Sequence, residues 1–185
     1  KAPMNFRRQS ILSIALVTAL GAAALPAAAQ QPQAQPGAQK APSADADFVR
    51  DASAAGLGEI ALSQIASEKA TSDDVKNFAG TMITDHTAAN QKLSAIAQGK
   101  GIAVSTEPMK AQAAAANSLK QSQGTQFDAK YISLMKKDHA KAIELFKKEA
   151  ASGQDPELKA FAAETLPTIE HHADMAAKLT PGMKG

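Results

Sequence analysis

The stretch SDDVKNFAGTMITDHTAANQKLSAIAQG, Ser72 to Gly99, decides the fold. Its apolar residues recur in steps of three and four, at Val75, Ala79, Met82, Ala89, Leu93 and Ile96. That spacing is the stripe of a helix with one buried face. Ser72 followed by Asp73 and Asp74 places a capping hydroxyl and two acids at its start. There the first backbone N–H groups lack partners and the helix dipole is positive. Gly99 and Gly101 supply the stop. In the middle of the stripe, where an apolar residue belongs, stands His86.

The same period continues on both sides. Long helices are expected over residues 45–69, 72–99, 125–152 and 155–179. Asp155-Pro156-Glu157 gives the last of them a cap, a first-turn proline and an acid, and Thr180-Pro181-Gly182 stops it. The first two helices and the last two are joined by short links, so each pair should form an antiparallel hairpin. The hairpins echo one another: DVKNFA at Asp74–Ala79 and ELKAFA at Glu157–Ala162 suggest a duplicated unit. The link from Gly99 to Gly124 is long and holds an Ala-rich run, Met109 to Lys120, expected as a short outer helix. A link of that size can travel the length of a bundle, leaving the second and third long helices parallel. The expected fold is all-α, a ferritin-like four-helix bundle whose B–C crossover carries the extra helix. A plain up-down-up-down bundle with a decorated loop is the other arrangement.

Composition agrees. Of 185 residues 44% are apolar and 21% charged, but only 4% are aromatic, with one Tyr and no Trp. So few aromatics argue against a β-sandwich or barrel. The absence of cysteine excludes disulfide scaffolds, thiolate zinc sites, iron–sulfur clusters and Cys nucleophiles.

Residues 1–29 read as an export leader: Arg7 and Arg8, an apolar run from Ile11 to Leu25, then Pro26-Ala27-Ala28-Ala29 before an expected cut after Ala29. The run is too short and Ala-rich for a membrane anchor. Loss of the leader removes Lys1, Arg7 and Arg8 and leaves 17 basic against 18 acidic residues. That balance implies neither nucleic acid nor an anionic membrane surface as partner. Residues 30–44, rich in Pro, Gln and Ala, read as a disordered linker. The bundle is expected over 45–180 and a flexible tail over 181–185.

Each of the four stripes carries one ionisable residue near its middle. The first helix gives Phe48, Ala52, Ala55, Glu59, Leu62 and Ala66, the third Ile132, Met135, His139, Ala142 and Phe146. The fourth gives Leu158, Ala162, Thr165, Ile169, His172, Ala176 and Leu179. Antiparallel packing brings midpoints to one level, so Glu59, His86, His139 and His172 are candidate metal ligands. Asp85, Asp138, Glu170 and His171 stand beside them in sequence as candidate outer partners. Met82, Met135 and Met175 fall one turn away at a common end, as candidate soft ligands. Imidazole with carboxylate suits iron, zinc or copper, and thioether favours copper(I). A hydrogen-bonded polar core, or stripes rotated so that the histidines reach the rim, are the competing readings. Gly56 and Gly58 stand just before Glu59, marking either a close helix approach or tolerated weakness. Pro167 should remove one backbone bond and kink the helix one turn before His171.

No Glu-x-x-His occurs, so the di-iron pattern of such bundles is not met. Gly-x-Ser-x-Gly, a phosphate-binding glycine loop and His-Glu-x-x-His are also absent. No residue set specifies a reaction.

Residues 45–179 resemble the bacterial family called domain of unknown function 4142. The resemblance rests on AAGLGEI at Ala54–Ile60, MITDHT at Met82–Thr87, MKKDH at Met135–His139, and Leu166-Pro167 with His171-His172. It implies a ferritin-like helical fold and an exported protein, and supplies no catalytic residues. Members are often labelled outer-membrane proteins. Yet nothing after the leader alternates like a membrane strand or runs apolar for long enough to span. A periplasmic or secreted protein is expected. It would bind or respond to a transition metal, or else be a non-catalytic cell-envelope or stress-associated interaction module with a metal-free polar core.

Overall fold

Asp128 and Asp45 show how the helices are held together. In the computed structural model, which describes residues 43–182, the chain forms five helices. They are α1 (Ser43–Lys69), α2 (Asp73–Gly99), α3 (Lys110–Lys120), α4 (Gly124–Ser152) and α5 (Pro156–Lys178). No strand occurs among the described residues. The carboxylate of Asp128, fully buried near the start of α4, accepts hydrogen bonds from the backbone N–H groups of Thr71, Ser72 and Gly182 at 3.0–3.1 Å. It therefore fixes the α1–α2 turn and the chain after α5. Asp45, fully buried near the start of α1, accepts from the N–H groups of Gln154 (3.1 Å) and Asp155 (2.7 Å) and fixes the α4–α5 turn. Each hairpin thus clamps the turn of the other with a buried charge.

The two clamps begin matching phrases, Asp45-Ala-x-Phe48-Val49 and Asp128-Ala-x-Tyr131-Ile132. The same number of positions separates this pair and the pair that opens α2 and α5. The expected duplication thereby extends over both helices of each hairpin, a signal the reading of the sequence missed.

Caps form where the sequence placed them. Ser72 accepts from the N–H of Val75, and Asp155 from those of Glu157 and Leu158. At the end of α2, Gly101 takes φ 66° while the N–H of Ile102 bonds the Ala97 carbonyl and that of Gly101 bonds Gln98. A positive φ suits glycine, and this pair of bonds closes a helix cleanly. The chain continues as helix through Pro167.

α1 packs on α2 and α4, and α5 packs on α4 and α2. The apolar core falls into two clusters. One joins the C-terminal half of α1 (Leu62, Ala66) with the N-terminal halves of α2 (Phe78, Met82) and α4 (Tyr131, Met135), and with Ala176. The other joins Phe48 and Ala52 with Leu93, Phe146, Leu158 and Phe161. α2 and α4 therefore point the same way, and α1 and α5 the opposite way. The link between α2 and α4 returns along α1. The N–H of Ser105 bonds Ser53 Oγ at 2.8 Å, Gln112 Nε2 donates to the Ala55 carbonyl at 3.3 Å, and Lys69 Nζ donates to the Lys120 carbonyl.

α1 takes in Ser43 and Ala44, which corrects the end of the expected linker. The expected leader, the rest of that linker and residues 183–185 lie outside the described residues. Among the described residues, no helix is long and apolar enough to cross a membrane.

Candidate metal centre

Between the two core clusters lies a layer of ionisable side chains, one from each long helix. Glu59 (α1) is 2% exposed, His86 (α2) 7%, His139 (α4) 0% and His172 (α5) 1%. The three rings meet edge-on or tilted, with centroids 5.3 Å (His86–His172), 5.5 Å (His139–His172) and 5.8 Å (His86–His139) apart. One ring nitrogen from each lies within 4.8 Å of the other two. Donors about 2.0–2.1 Å from a shared ion sit roughly 3.5 Å apart, so ring shifts of about an ångström would bring them onto one.

Each ring uses one nitrogen and leaves the other without a partner. His139 Nδ1 donates to the Met135 carbonyl at 2.9 Å, which leaves Nε2 free. A carbonyl only accepts, so the proton sits on Nδ1 and Nε2 carries the lone pair. His172 Nε2 bonds Asp85 Oδ2 at 2.9 Å and leaves Nδ1 free. His86 Nδ1 lies 3.2 Å from Glu59 Oε2 and leaves Nε2 free.

Burial keeps the rings neutral. It pushes His86 down to about 3, with His139 and His172 adding repulsion, and His139 down to about 4 against the pull of the Met135 carbonyl. His172 is lowered by burial although Asp85 pulls the other way. Burial and the nearby Asp138 carboxylate push Glu59 up to about 8.

The structure sorts the candidate residues. Glu59 stands outside the three-nitrogen set and serves as a partner of His86, 3.5 Å from His139 Nδ1 on its other oxygen. Asp85 does support a ring, but the one on α5. Asp138 instead accepts from Gln112 Nε2 at 3.1 Å. Two expected outer partners fall away: Glu170 pairs with Lys147 on the outside at 3.2 Å, and His171 is exposed. Met82 and Met135 are fully buried in the cluster on one side of the ring layer, and Met175 packs against it.

Two residues went unread in the sequence. Gln112 of α3 is buried against Gly58, where a methyl group would strike its side chain. Asn90 lies likewise against Gly56 and donates to the Ser53 carbonyl at 3.3 Å. The two glycines just before Glu59 mark close approaches; their spacing was the available signal.

A family model described as "Domain of unknown function (DUF4142)" matches residues 28–179. Among solved structures the chain is similar to "Crystal structure of DUF305 fragment from Deinococcus radiodurans", with a TM-score of 0.66 at 14% identity. The match covers 74% of this chain and 95% of that one, and at such identity it speaks for the fold alone. No curated protein matches the sequence.

Proposed function

The chain belongs to the DUF4142 family, and we propose that its core binds one transition-metal ion through His86, His139 and His172. The observation that carries this reading is the set of three buried ring nitrogens without partners, each on a ring whose other nitrogen is engaged. A buried polar atom without a partner costs about 1–3 kcal/mol. A core whose histidines only specified packing would satisfy them. Carbonyl and carboxylate partners on the far nitrogen are also what orients a metal-binding imidazole and raises its basicity.

Copper(I) fits this donor set best, with zinc and iron the ions to test beside it. Three neutral imidazoles suit all three ions, and methionines one turn away favour the softest. Charge points the same way. Burying an ion is costly unless it is compensated, and Glu59, raised to about 8 in the metal-free core, balances a monovalent ion by giving up its proton on binding. A dication would need Asp85 as well.

The same reading takes α1, α2, α4 and α5 as a ferritin-like four-helix bundle with α3 in the crossover. It takes residues 1–29 as an export leader, so that the protein works in the periplasm or outside the cell. N-terminal sequencing of the exported protein should begin at Gln30.

Metal analysis after loading with copper(I), iron(II) or zinc(II) tests the site. One equivalent is expected in the parent and in His171→Ala, and none in His86→Ala/His139→Ala. Protein that stays metal-free, with a melting temperature unmoved by all three ions, overturns the proposal.

A further inference from the structure

Against the ring layer, on the side away from the methionines, lies a cavity of about 40 Å³. Ala52, Ala55, Leu93, Ala142, Phe146 and Ile169 form much of its lining, which is almost wholly apolar. His86 and His172 stand in its wall, each nine-tenths or more buried and each with a ring nitrogen that lacks a partner. The space exists because alanines occupy helix positions that a packed core fills with larger side chains. It is larger than one water needs, and apart from the free nitrogens of His86 and His172 and Glu59 Oε1 at the ring layer, its surface offers a guest few polar contacts. Asp85, Ala89, Phe161, Thr165 and Thr168 line both this cavity and a groove on the outside of the α2–α5 seam, which gives a way in.

We infer that the cavity is a ligand chamber for a small uncharged diatomic gas, which it delivers to the open side of the three-imidazole metal site. The inference rests on that site binding metal. Three protein nitrogens leave a coordination position free, as in open metal sites generally. The largely apolar wall disfavours ions, and the space admits a molecule of two heavy atoms. Carbon monoxide is the probe, since it coordinates copper(I) and iron(II) end-on without a redox step.

Two readings separate the chamber from the metal. Xenon under pressure, followed in crystals of the metal-free full chain, should occupy the cavity in the parent and be excluded by Ala142→Leu. The copper(I)-loaded parent should show an infrared band of bound carbon monoxide. Ala142→Leu, or the milder Ala52→Val if that variant misfolds, should load copper fully and lose carbon monoxide affinity at least tenfold. Loaded parent protein that takes no carbon monoxide, or filled variants that take it equally well, overturn the chamber while leaving the metal site standing. Absence of xenon from the parent overturns it too. Failure to load any metal is seen directly in the metal analysis and removes both.

Discussion

Asp85 holds His172 by Nε2 and leaves Nδ1 without a partner, so its loss should be felt by the metal rather than by the fold. Asp85→Asn should weaken metal binding by about 10–100-fold, with His171→Ala unchanged, measured by competition against a chelator. Metal-free stability should pass through a maximum near pH 6. His86 and His139 are lowered to about 3 and about 4, and His172 is lowered too. The unfolded chain binds their protons from about pH 6.5 downward, so this stability is lost as pH falls below that value. Glu149 is raised to about 7 by burial and by Asp45 and Asp155, and Glu59 to about 8. Their stability is complete below the ordinary Glu value and is lost as pH rises through 7 to 8. Melting curves from pH 5 to 8.5 check both limbs, and Glu149→Gln should flatten the alkaline one. Which carboxylate serves which ring was the least legible part of the sequence. Neighbours on a helix point about 100° apart. Asp85 therefore cannot turn back onto His86 beside it and reaches α5 instead, while Asp138 reaches α3. Glu170, two positions before His172, is carried round to the outer face, where Lys147 meets it.

At the scale of elements, the crossover helix is docked by shape. Gly58→Ala pushes on the Gln112 side chain, which is already engaged by Ala55 and Asp138. It should cost about 1–3 kcal/mol, the usual range for overpacking, and most of that cost should vanish in a Gln112→Ala background. A double-mutant cycle in urea reads the coupling. Gly80→Ala is the contrast: nothing lies within 4 Å of the added methyl, so helix propensity alone should stabilise the protein by about 0.5–1 kcal/mol. The long helices and their caps were legible because period and capping chemistry are local. The docking of α3 was not. Its stretch is Ala-rich with little pattern, and Gln112 is buried only because Gly58 leaves room for it on another helix.

Over the whole molecule, two hairpins clamp one another's turns through Asp45 and Asp128 and bury a layer of polar rings between two apolar clusters. Asp128→Ala removes one carboxylate that serves three backbone N–H groups and the Thr71 hydroxyl at once. Hydrogen bonds to charged groups contribute about 1.5–3 kcal/mol each, so this change should lower stability by at least about 3 kcal/mol in chemical denaturation. The meeting of the four stripes at one level followed from counting residues, because helices of equal rise align their midpoints. The division of labour within that level did not, because ring orientation is set by contacts between helices. The central claim is that three imidazoles share one ion. X-ray absorption of the copper(I)-loaded full chain counts the ligands directly. The account predicts a first shell of nitrogen donors with the outer-shell scattering of three imidazole rings, reduced in His139→Ala. A shell dominated by oxygen, or a spectrum that His86→Ala and His139→Ala leave unchanged, would contradict it.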